Sequence, residues 1–149
     1  MKSVLPILLP LLMAGLLGAA EKETARHKYD FSITDSEGKV LGKGAIALPF
    51  AFGAIGKGTA TWQFTANEVV STNKYWLKAK AQLAKGTGNA KAVCEDSLLR
   101  LDFTPGWADR NVTVSWALKK KELGTVSYDD FAGSHCFAFF KISQSETQP

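Results

Sequence analysis

From residue 27 onward, apolar and polar side chains alternate along most of this chain. Between His27 and Thr34, Tyr29, Phe31 and Ile33 share one face while Lys28, Asp30 and Ser32 share the other, which is the period of a half-buried strand. Asp35-Ser36-Glu37-Gly38 supplies turn residues and Val40 to Leu48 resumes the extended pattern, so a hairpin is expected over 27–48. Trp62 and Phe64 stand at strand spacing, and Leu99, Leu101 and Phe103 alternate with Leu98, Arg100 and Asp102 until Thr104-Pro105-Gly106 breaks the run. Val112, Val114, Trp116 and Leu118 form the clearest inward face. In the last strand, His135 to Ser143, Cys136, Ala138, Phe140 and Ile142 fall on one side and Phe137 and Phe139 on the other, so both faces are expected to be covered.

One segment gives conflicting signals. Over residues 74–84, Tyr75, Leu77, Ala79, Ala81 and Leu83 alternate with Trp76, Lys78, Lys80 and Gln82, whereas the Ala, Lys, Leu and Gln content favours a helix. We follow the alternation and read a strand. About seven or eight short strands separated by Gly, Pro and Asx turns predict an all-β fold, an antiparallel β-sandwich; a small closed β-barrel is the alternative, because both produce the same alternation.

The first twenty residues follow a different pattern. Met1-Lys2, an uncharged apolar run from Val4 to Leu17, and the small residues Gly18-Ala19-Ala20 read as a secretory signal cut after Ala20. The run is shorter than the roughly 20 residues that span a bilayer, so no stable membrane anchor is expected. That leaves residues 21–149 as a single secreted domain, with 21–26 and 144–149 as flexible tails and an extracellular location, or a periplasmic one in a Gram-negative cell.

Export changes how the two cysteines are read. Cys94 and Cys136 are the only ones in the chain, and in an oxidising compartment they are expected to pair. By chain entropy such a bridge contributes roughly 4 kcal/mol. Asp130, Ala132 and Cys136 resemble part of the pattern before the second cysteine of immunoglobulin domains. Ser134 stands in place of its tyrosine and Trp116 lies 22 residues after Cys94, so the resemblance implies a generic sandwich only.

Charge and motifs narrow the function classes. The net charge is +4, and the one basic cluster, Lys119-Lys120-Lys121, runs directly into Glu122, which reads as a solvated turn, so no nucleic-acid partner is expected. No catalytic, metal or cofactor motif stands out. Asn111-Val112-Thr113 is the only glycosylation sequon, placing Asn111 on a solvent face if Val112 and Val114 point inward. Pro49 to Gly58 carries Phe50, Phe52 and Ile55 among glycines, either as a buried bend or as an apolar contact loop; Trp107 sits in a Pro-Gly loop as a candidate anchor. These four residues are the candidate binding set. The expected function is therefore binding of an extracellular protein or glycan in an effector, inhibitor or adhesion role, not catalysis. The alternatives are a hydrolase or nuclease using His27 or His135 with nearby carboxylates, and a barrel carrier of an apolar ligand.

Overall fold

The computed structural model describes residues 26–68, 71–106 and 110–143. The expected leader, most of the N-terminal arm, Trp107 and the tail 144–149 lie outside the described residues. Eight strands follow one another around a closed barrel: β1 (His27–Thr34), β2 (Val40–Leu48), β3 (Gly56–Ala66), β4 (Thr87–Glu95), β5 (Leu98–Asp102), β6 (Asn111–Ala117), β7 (Gly124–Asp130) and β8 (Gly133–Ile142). Each pairs antiparallel with its sequence neighbour, and β1 closes the ring on β8 through Phe31↔Ile142 to Thr34↔Phe139. The sandwich expectation is thereby corrected to its alternative. A closed ring leaves no open sheet edge, and alternation alone does not encode whether the first and last strands meet.

The inward set fills the lumen. Phe31 stacks on Phe64 and Phe140 at centroid distances of 6.0 and 4.9 Å, and Phe103 lies 5.8 Å from Phe31, 5.8 Å from Trp62 and 6.1 Å from Phe140. Aliphatic residues Ile33, Leu99, Leu101, Val112, Val114 and Val126 complete the wall, all buried. An eight-stranded barrel is just wide enough for side chains to fill. Room for the rings comes from glycine: a Cβ on Gly44 would stand 2.8 Å from the Phe31 ring, and one on Gly88 2.7 Å from Trp62.

Residues 74–83, read above as a strand, form a helix, α1 (Lys74–Leu83). Asn73 caps it, its Oδ1 accepting from the Tyr75 and Trp76 amides at 2.9 and 3.2 Å, which satisfies two donors that have no partner in the first turn. Trp76, Ala79 and Leu83, spaced i, i+3, i+7, are buried, and Trp76 packs on Phe64 and Phe137. Gly86, at φ +78°, ends the segment with its amide donating to the Leu83 carbonyl. The alternation was accidental: Leu77, on the supposed inward face, is exposed, and Trp76, on the other, is the anchor. The helix leaves the end of β3, crosses that mouth of the barrel to touch β6, β7 and β8, and returns to β4.

The expected disulfide is also corrected. Cys94 points inward from β4 and is buried, Cys136 is exposed on β8, and both are free thiols. β4 and β8 stand on opposite walls of the ring. The register slips between Val126 and Ser127, so that Val126 faces Ala138 while Ser127 faces Cys136, and Phe137 is the extra residue of a bulge. This bulge turns Cys136 out of the face it would share with Ala138 and Phe140, and lets Phe137 pack under the helix.

Candidate functional site

The barrel has two differently built ends. At one, β2 runs into the segment 49–55 before β3. Phe50 is buried there, and the Phe52 ring leans on Tyr29 and Trp116 while its amide donates to the Tyr29 hydroxyl at 2.8 Å. Of the apolar residues proposed for contact in this segment, Ile55 is 82% exposed and Phe52, though its ring rests on Tyr29 and Trp116, is 36% exposed; the buried-bend reading describes Phe50 alone. His27 opens β1 at this same end, opposite Leu48.

His135 lies at the other end, opposite Tyr128 beside the β7–β8 turn. The two histidines are thus separated by most of the length of a strand, roughly 20 Å or more at about 3.3 Å per residue. They do not form an acid/base pair.

The helix-covered end carries a groove of about 940 Å³. Its floor is made by Phe103, just past the end of β5, and Tyr128, on β7, both buried. One wall is α1 and the turn after it, where Lys78, Gln82 and Lys85 recur at i, i+4, i+7 on the face turned away from Trp76. The facing wall is the β5–β6 connection, contributing Thr104, Pro105 and Arg110. Buried Thr104 shapes that connection: its Oγ accepts from the Val112 amide at 2.9 Å and donates to the Arg110 carbonyl at 3.3 Å, while its own amide donates to Asp102 Oδ1. Phe131, at the tip of the β7–β8 turn, forms the lip and is 89% exposed.

The charge at this groove is uneven. Among the described residues, Lys78, Lys85 and Arg110 line it against a single carboxylate, Asp130. That carboxylate is already engaged, with Oδ1 accepting from His135 Nε2 and from the Ala132 amide, both at 2.9 Å, and the His135 bond holds its pKa below the usual range. His135 is in turn stacked flat on Tyr75, with centroids 4.3 Å apart, and Lys78 stands 5.8 Å from the Tyr75 and Tyr128 ring centres. Gln82 reaches Tyr128 through a long 3.4 Å bond from Nε2, and its buried Oε1 has no partner.

On the outer wall, Val112 and Val114 point inward as expected, leaving Asn111 and Thr113 partly exposed on the outside. The Thr113 hydroxyl donates to Asp129 Oδ2 at 3.0 Å. Asp102 has its pKa raised by burial, opposed by the Thr104 amide and reinforced by Asp129. Among the described residues, no cluster of three His, Cys, Asp or Glu could hold a metal, and no helix is long and apolar enough to cross a membrane.

Of the candidate binding residues, the structure therefore places Phe50, Phe52 and Ile55 at the end away from the groove; Trp107 lies outside the described residues, although Pro105 and Arg110 on either side line the groove. Phe131, Lys78 and Lys85 were missed. The i, i+4, i+7 spacing of Lys78, Gln82 and Lys85 after the cap-forming Asn73 was the available signal. The fold and groove define a closed antiparallel barrel with one helix-covered, cation-lined mouth. Compared with known proteins, the chain matches no family model, no curated protein and no solved structure.

Proposed function

We propose that this is an exported binding protein whose groove at the helix-covered end takes an extracellular glycan. The observation that carries the reading is the combination of the exposed flat ring of Phe131 with the side-chain amides of Asn89 and Gln82 around one open groove. Sugars are held by stacking of their apolar face on a ring together with several hydrogen bonds, and a volume near 940 Å³ accommodates a short oligosaccharide. A protein partner is favoured less, because interfaces are depleted in lysine and Lys78 and Lys85 line this groove. Two further observations weigh against the remaining readings. The rings of Phe31, Phe103 and Phe140 occupy the lumen that a carrier needs, and His27 and His135 sit at opposite ends.

The test is titration of the purified protein against an oligosaccharide panel by calorimetry, in parallel with Phe131→Ser. Binding by the parent that weakens at least tenfold in the variant supports the reading; binding unchanged in Phe131→Ser, or no binding to any sugar, overturns it.

A further inference from the structure

We infer that the ligand is an acidic oligosaccharide, with carboxylate or sulfate groups met by Lys78, Lys85 and Arg110 and hydroxyls met by Gln82. The inference rests on the glycan reading above and adds the charge class. Two independent features support it. First, among the described residues three cations line the groove against one carboxylate, and that carboxylate is occupied by His135 and the Ala132 amide. Lys78 shares its field with Asp130, whereas Lys85 and Arg110 form no salt bridge among the described residues. Bringing like charges into one concave site costs energy, and a bound anion offsets it. Second, the Gln82 side-chain amide in the same wall is weakly held, its Nε2 making only a 3.4 Å bond to Tyr128. A sugar acid brings an anion for the cations and a hydroxyl for the amide in one molecule.

The site's size selects against a nucleic-acid strand. Single-stranded chains are tracked by extended basic grooves with successive stacking rings, whereas this groove is confined to one mouth of the barrel, and among the described residues it has one exposed ring at its lip.

The experiment uses the whole mature protein and matched probes. These are uronate trisaccharides and sulfated disaccharides, each beside its neutral methyl-esterified or desulfated counterpart, together with inorganic sulfate and an oligoribonucleotide, measured by calorimetry at two salt concentrations. The acidic sugars are expected to bind at least tenfold more tightly than their neutral partners and to weaken with salt. Arg110→Gln and Lys85→Gln, at exposed positions, should each cost about tenfold while Arg110→Lys retains most of the binding, with unchanged melting temperatures as the folding control. Equal binding of charged and neutral sugars overturns this inference and leaves the glycan reading standing. No sugar binding at all overturns both. Inorganic sulfate as tight as the sulfated sugar reduces the site to an anion site, and tighter binding of the oligoribonucleotide replaces the ligand class; either result overturns the inference.

Discussion

Replacing Phe140 with alanine measures how tightly the lumen is filled. Phe140 is fully buried on β8, with Phe31, Phe103 and Trp116 rings at 4.9, 6.1 and 6.3 Å. Removing the ring forfeits its transfer free energy, about 2 kcal/mol. It also leaves a void of roughly 100 Å³, which at about 24 cal/mol per Å³ adds about 2 kcal/mol if the surrounding rings stay in place. The expected loss is about 4 kcal/mol, out of the 5–15 kcal/mol or so that holds a typical domain folded. In urea, with a slope near 2 kcal/mol/M, the midpoint should fall by about 2 M, followed by tryptophan fluorescence. Phe139, on the outer face and partly exposed, is the control, and its alanine variant should lose far less. A loss for Phe140→Ala below about 1.5 kcal/mol at unchanged slope would refute the reasoning, because it would mean that the ring borders free space.

Other perturbations probe the remaining parts. Gly44→Ala should destabilise by about 1–3 kcal/mol, since its Cβ would press on the Phe31 ring and the β3 backbone; a wild-type denaturation midpoint would contradict that packing. Asn73→Ala should cost about 1 kcal/mol and speed amide exchange in the first turn of α1, with Asn73→Asp restoring most of it. His135 holds the Asp130 carboxyl below its ordinary range, so the stability from this pair is present above the unfolded carboxyl pKa of about 3.9 and is lost as pH falls through the lowered folded value. Denaturation midpoints of the wild type should therefore drop more steeply on acidification than those of Asp130→Asn, and parallel curves would count against the bond. A thiol reagent should label one cysteine per native chain, the exposed Cys136, and the second only after unfolding, since Cys94 is buried with its pKa raised. A chain with no reactive thiol even when unfolded would restore the disulfide.

Much of the wall was legible in the sequence. The inward residues Tyr29, Phe31 and Ile33, Leu99 and Leu101, and Val112, Val114 and Trp116 were read from alternation, and all are buried. The groove was much harder to read. Its residues come from α1, the β5–β6 connection and the β7–β8 turn, and the local pattern of Lys78 and Gln82 suited a strand as well as a helix. Asp130 and His135 stand five residues apart in sequence, but their pairing depends on the tight turn between them.

The sequence by itself determined which side chains of the regular strands avoid water, because burial of one face of a strand imposes a period of two along it. Only the tertiary structure decided that β1 meets β8, that Trp76 draws residues 74–83 into a helix across the barrel mouth, and that a bulge at Phe137 turns Cys136 away from Cys94. Each of these depends on contacts between segments far apart in the chain, whose free energy exceeds the small local preferences that the sequence pattern records.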